Sequence, residues 1–410
     1  MNTLLQGVKV LEFGPLMAAG SVGMFLADLG AEVIKLEKPG FGDYGRNVGG
    51  VVGPNLSVAH IQRNRNKRSL AVELGREDGR ELFWRILATA DVFIDGSMSG
   101  STDKLGIGYE DQAARNPAII YCSYSGFGFD GPYARVPTHG TMMNALAASE
   151  PHEVGDDGLT HSLATLPVTK TGGEALTAGA VNAALGISAA LVRRARTGRG
   201  AFIDVAASDA VLRQAWIHLA LELNRHLIVN DLGAPKSGND FTGARMRYYA
   251  TKDDKIIVFC AVEPKFWENF RRAVGRDDLP PLDDSTQMDY AQGDDGLAHQ
   301  LQELFKTQEL AYWMELATQW DVPIGPAPRT IAEMRQDPHV QARGMLVDIE
   351  HPVVGKFVQV ASPIHVRGEA IQPDGLAPAL GHDTRTILAE LGLTDVEVDD
   401  LVAQGTVGVP

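Results

Sequence analysis

Residues 8–37 constrain the fold of this chain more than any other stretch. Val8-Lys9-Val10-Leu11-Glu12-Phe13 is a short apolar run of strand type, Gly14-Pro15 turns the chain, and the small-residue segment Ala18-Ala19-Gly20-Ser21 leads into residues 22–29. Gly30 stops that segment, and residues 31–37 read as another strand. Strand, glycine turn, helix, glycine stop and strand make a βαβ unit, which implies a parallel sheet buried on both faces. In such open sheets the ligand crevice lies beyond the carboxyl ends of the strands. Here those ends are residues 13–17 and 37–42, both rich in Gly and Pro, and the second carries Lys38 where it could face an anion. The first loop lacks G-x-G-x-x-G spacing, so a dinucleotide pyrophosphate on the helix start is not indicated.

The alternation continues. Strands are expected at residues 70–74, 91–95 and 118–124, with helices at 76–90 and 108–116 between them. This spacing fits a doubly wound α/β domain. After the glycine-rich turn Gly126-Phe127-Gly128, a long Ala/Leu-rich helix is expected from Glu174 to Arg194, then a strand at 201–205. Residues 231–242 are a polar linker, followed by two strands around a tight turn at 248–260 and helices near 265–274, 297–305 and 310–319. At 410 residues the chain exceeds one ordinary core. The expected organisation is a large Rossmann-like domain over 1–225, a smaller α+β domain over 226–330, and a further segment over 331–410.

The formal charge is −15 with no basic block, which argues against nucleic acid or an anionic membrane as partner. Any anionic ligand must be gripped by locally placed Lys and Arg. Cys122 and Cys260 sit in apolar strand-like runs and read as buried thiols rather than a bridge. Residues 1–7 show no basic segment entering an apolar run, and no stretch of eighteen apolar residues stands out. A cytoplasmic protein is expected.

Two basic clusters are notable in so acidic a chain. Arg63, Arg65, Lys67 and Arg68 precede a strand, and read either as a phosphate grip at a loop end or as a solvated loop. Arg193, Arg194, Arg196 and Arg199 follow a helix, where they meet the negative end of its dipole. His139 lies on an irregular loop and reads as a general base or a structural histidine. Glu263 ends an apolar strand before Pro264, as a reactive carboxylate or a helix N-cap neighbour. There is no H-E-x-x-H, C-x-x-C or G-x-S-x-G, so metal and serine-hydrolase chemistry are not indicated.

Residues 26–37, Asn64-Arg65-Asn66-Lys67-Arg68-Ser69, Gly126-Phe127-Gly128 with Gly131-Pro132-Tyr133, Thr197-Gly198-Arg199-Gly200, and Asp337-Pro338-His339 with Ala342-Arg343-Gly344 closely resemble the class III (CaiB/BaiF) CoA-transferase family. That family also contains α-methylacyl-CoA racemases. The resemblance implies an interlocked dimer whose large domain is built from both chain ends, with 331–410 returning to it. It also implies coenzyme A as substrate, acyl-CoA and carboxylic acid partners, and no metal.

Carried over by position, Met17, Lys38, Lys67, Arg68 and Lys104 would hold CoA; Lys38 and Lys104 stand where arginine is usual. Gly96 stands near a usual asparagine. The family's nucleophilic aspartate would fall about ten residues before Gly186, where the nearest acid is Glu174. His139 and Glu263, within Ala261-Val262-Glu263-Pro264, match the proton-transfer residues of the racemase branch. The resemblance therefore implies a CoA-transferase acting through Glu174. A racemase acting through His139 and Glu263, or a CoA-binding subunit of a heteromeric enzyme, are the alternatives.

Overall fold

The structure is a computed structural model, which describes residues 4–148, 152–162, 174–229, 243–282, 288–369 and 375–410. It divides into two compact units, Met1–Trp216 with Gln341–Pro410, and Ile217–Val340.

The first unit is organised by a twisted sheet. Its strands in chain order are β1 (Lys9–Phe13), β2 (Glu32–Glu37), β3 (Lys67–Val72), β4 (Val92–Asp95), β5 (Ile120–Ser125) and β6 (Ala201–Ala206). They lie side by side as β6-β5-β4-β1-β2-β3, all parallel, and Val407–Gly408 adds an antiparallel strand beside β3. This is the doubly wound order, with its reversal between β1 and β4. Alternate residues serve opposite faces: Val10, Val33, Ile94 and Cys122 enter one core, Leu11, Ile34, Phe93 and Tyr121 the other. Burial pushes the Cys122 thiol far up, so it is an inert core residue.

Helix α1 (Ala18–Asp28) follows β1, and α2 (Glu77–Leu87) covers the opposite face with Leu82, Phe83, Ile86 and Leu87 buried. Helix α3 (Gly140–Leu146) precedes the long α4 (Glu174–Thr197). By length and composition Ala175–Thr197 would pass for a bilayer span, contrary to the reading that no such stretch exists. Its apolar content has another use: Ala175, Ala180, Ala183 and Ile187 pack into the core.

The C-terminal segment is stitched to the sheet edge. Asp383 accepts from Ser69 N–H at 2.8 Å and Thr384 from Ala71 N–H at 3.2 Å. The second unit carries an antiparallel sheet of β7 (Met246–Ala250), β8 (Ile256–Cys260) and β9 (Ile324–Pro326). Its core is aromatic, with Phe259, Trp267, Phe270, Phe305 and Trp313 packed together.

Candidate active site

The site begins with glycine packing at the β1–β4 reversal. A Cβ on Gly14 would stand 2.8 Å from the Gly96 backbone, and one on Gly96 would stand 2.6 Å from Ala19 N. Only glycine lets the ends of the two strands and the start of α1 approach this closely. That close approach is the physical reason for glycine at 96, near the position where family members often carry an asparagine. Leu16, just beyond, takes a left-handed backbone at φ 61°, uncommon for a bulky side chain. Its N–H donates to Asp43 Oδ1 at 2.7 Å, and Gly45 N–H donates to the same oxygen at 2.8 Å.

Above this packing lies a cavity of about 520 Å3, lined from the ends of β1 (Pro15 to Ala18), β4 (Gly96 to Met98) and β5 (Ser125 to Phe127). It sits at the topological reversal, where open sheets place their ligands. Met17 lines one side, and His139, the exposed residue before α3, another. Leu176 in the first turn of α4 completes the wall.

That first turn is pinned from two sides. Asn144 Oδ1 accepts from Ala175 N–H at 3.1 Å, and Tyr124 OH donates to the Leu176 carbonyl at 2.7 Å. Gly179 makes the second contact possible, since a Cβ there would fall 2.4 Å from the Tyr124 ring. Glu174 begins α4, but its side chain, like Gly172 and Gly173, lies outside the described residues.

The β4 loop is held by a buried carboxylate. Asp95 accepts from Ser97 N–H at 2.9 Å, Thr102 Oγ1 at 3.0 Å and Tyr121 OH at 2.6 Å. Burial and the neighbouring Asp95 charge push the Tyr121 hydroxyl well up, keeping it a donor.

A second cavity of about 450 Å3 adjoins the first around Pro15. Lys38, Phe41 and Tyr44 line it. Lys38 is exposed, with Glu73 at 3.6 Å, and Phe41 meets Tyr44 edge-on at 4.8 Å. Lys104 is exposed at the end of the short helix Ser101–Lys104, whose first residue lines the first cavity.

Lys67 and Arg68 are committed to carboxylates in this structure. The cations of this motif were read as a phosphate grip or a solvated loop; Lys67 is buried and Arg68 half-buried, each in an ion pair. Lys67 Nζ donates to Glu12 Oε2 at 2.6 Å, the Gly20 carbonyl at 2.8 Å and Asn64 Oδ1 at 3.1 Å, which uses all three of its donors. Arg68 is bonded to Glu32 at 2.6 Å and Glu390 at 2.8 Å. Neither lines the two cavities above. Arg65 is likewise buried against Asp28.

Lys67 belongs to a buried charge cluster below α1. Glu12 also receives Lys35 at 3.0 Å, and Lys35 reaches Asp43 at 3.0 Å. Arg46 forks onto Glu37 at 2.8 and 2.7 Å. Gly23 admits the cluster, because a Cβ there would lie 2.0 Å from Glu12 Oε2. Burial alone would raise the Glu12 carboxyl, but Lys67 and Lys35 hold it down at about 2. Burial takes Lys67 down to about 8 despite Glu12. Arg63 is buried among these groups with its Nε and Nη2 unpartnered.

Glu263 is the half-buried residue before Pro264 in the helix Pro264–Val274 of the second unit. Its side chain makes no capping hydrogen bond. The structure thus brings Met17 and His139 to one cavity in the first unit and places Glu263 in the other.

A family model described as CoA-transferase family III matches residues 5–384. Formyl-CoA:oxalate CoA-transferase of Escherichia coli O81 (strain ED1a) is 28% identical, over 97% of this chain and 98% of its own. The enzyme of that name from Rhodopseudomonas palustris (strain BisA53) is 27% identical, over 100% and 99%. Among solved structures, a CaiB/BaiF family protein from Brucella suis is 30% identical with a TM-score of 0.70, covering 95% of this chain and 100% of that one. Rv3272 from Mycobacterium tuberculosis shares the fold at a TM-score of 0.74 and 24% identity, covering 93% and 98%. The chain belongs to CoA-transferase family III.

Proposed function

We propose that this enzyme moves CoA from an acyl-CoA thioester to a carboxylic acid, with the thiol end of CoA in the cavity at the β1–β4 reversal. The observation that carries this reading is the cavity's wall: Met17 and the first turn of α4 line the same space. Glu174 stands two residues before Leu176, at the end of α4 where backbone N–H groups favour developing negative charge.

In this reading the Glu174 carboxylate attacks the acyl carbon, the carbon–sulfur bond breaks, and CoA thiolate departs from a mixed anhydride. The thiolate then attacks the glutamyl carbonyl, expelling the donor acid and leaving CoA on Glu174 as a thioester. The acceptor carboxylate attacks that thioester and forms a second mixed anhydride. Return of the thiolate to the acceptor's acyl carbon releases the new acyl-CoA and free Glu174. No net proton or electron is consumed. Isotope-labelled CoA supplied as an acyl-CoA, with a second acid present, should appear in the second acid's thioester. Failure to form it would end the proposal.

The nucleotide end of CoA fits the adjoining cavity. Lys38 supplies a cation for phosphate, and Phe41 and Tyr44 offer ring surface to a base. Lys104, at the end of the helix Ser101–Lys104, is exposed as well. Lys38→Glu should weaken CoA binding roughly tenfold at low salt and less at high salt. An unchanged Kd in calorimetry would remove Lys38 from the site.

His139 favours a second reading, racemisation of an acyl-CoA, because a histidine lining the cavity could move an α-proton. Glu263, before Pro264 in the second unit, is the other residue of that branch's motif. If this activity exists, His139→Ala should slow deuterium entry from heavy water by roughly 10²-fold or more. Unchanged exchange would dismiss it. A cytoplasmic location and a homodimer complete the reading, the dimer supported by the exposed apolar residues Val181, Leu185 and Val192 along α4. Light scattering giving a monomer mass would contradict the dimer.

A further inference from the structure

The first cavity also bears on which acids are used. We infer that the acyl group handled here is an apolar monocarboxylic one, and that Met98 helps select it. This rests on the CoA-transfer reading above. The cavity's lining includes the apolar side chains of Val48, Met98, Phe127, Val136, Met143 and Leu176. The polar lining consists of hydroxyls and His139, and among the described residues no Lys or Arg lines it.

Hydroxyls without a cation make a poor carboxylate site. Ser97 donates to Asp95 and is occupied by that bond. Ser125 Oγ is buried without a partner, and Ser101 and Thr138 are the other lining hydroxyls. Lys35 is committed to Glu12 and Asp43, Arg46 to Glu37, and Lys38 lines the adjoining cavity rather than this one. Arg63, though unpaired, packs against Gly20 and Gly45 and does not line the cavity.

A second carboxylate entering this space would lose its water without gaining a cation from the described lining, which disfavours it. Each methylene placed against the Met and Leu side chains gains about fourfold in binding. Methionine suits such a wall, because its unbranched thioether adapts to chains of different shape. Met98 is the side chain where a charge would change this balance, since it sits in the β4 loop that Asp95 holds in place.

The test is transfer from one acyl-CoA donor to a panel of acids: acetate, propionate, butyrate, oxalate and succinate. Expected is a kcat/KM rising about fourfold per methylene along the monocarboxylates. Succinate should fall at least roughly thirtyfold below butyrate, its four-carbon counterpart, for want of a cation. Met98→Lys should narrow that gap by about tenfold, chiefly through the succinate KM. Robust transfer to oxalate or succinate in preference to butyrate by the unmodified enzyme would overturn the inference while leaving CoA transfer intact. A gap unmoved by Met98→Lys in a folded variant would overturn the role of Met98. Transfer to none of the five acids would overturn the inference together with the reading beneath it.

Discussion

Glu174→Ala is expected to lower CoA transfer by roughly 10⁴-fold or more, because the reaction loses its covalent partner rather than one contact. The same variant should yield no hydroxylamine-trappable intermediate when mixed with acyl-CoA. Its CoA affinity should change little, since Lys38, Lys104 and the loop after β1 lie on other elements. Glu174→Asp separates chemistry from folding: it keeps a carboxylate one methylene shorter and should recover part of the rate. The reason for expecting so large an effect is positional. Asn144 and Tyr124 both tie down the first turn of α4, which holds the start of this helix against the cavity wall. Transfer that survived in Glu174→Ala would place the nucleophile elsewhere.

The second large effect concerns stability. Glu12→Gln is expected to cost about 3–5 kcal/mol in denaturant unfolding at pH 7, because Lys67 stays buried without its carboxylate. Lys35 would keep Asp43, so the loss falls mainly on the Lys67 side of the cluster. The pH dependence follows from the carboxyl's position. Glu12 titrates at about 2 in the folded chain against an ordinary 4.5. A depressed carboxyl gives stability that is complete above about pH 4.5 and lost as pH falls through 2, a difference worth roughly 3 kcal/mol. The gap between the native chain and Glu12→Gln should therefore narrow between pH 5 and 2. A gap constant over that range would contradict the buried ion pair.

The opening βαβ unit was legible because its periodicity is local: Val10 and Leu11 alternate faces, and Gly30 stops the helix. Strand order was not legible in the same way. The neighbours β1 and β4 are joined by pairings such as Val10 with Val92, which no local pattern marks. The basic motif shows the same limit for charge. Arg65 and Lys67 look solvated when read beside their neighbours, but Lys67's partner Glu12 stands 55 residues earlier. A glutamate inside the apolar run Val10-Leu11-Glu12-Phe13, beneath a helix with glycine at 20 and 23, was the available signal. Both features make sense only if a buried cation arrives from elsewhere.

Met17 was named from resemblance and His139 first from its irregular loop, and both line one cavity. The anchors of α4 were missed, since Tyr124 and Asn144 act through backbone atoms rather than through a reactive group. Phe41 and Tyr44 were also missed, although two aromatics in a Gly-rich loop beside Lys38 could have drawn notice.

The most direct test is a crystal structure of the protein soaked with coenzyme A. The account predicts the sulfur in the cavity between Met17, His139 and the start of α4, with the nucleotide toward Lys38, Phe41 and Tyr44. A thiol outside that cavity, or crystals and calorimetry that register no coenzyme A, would contradict it.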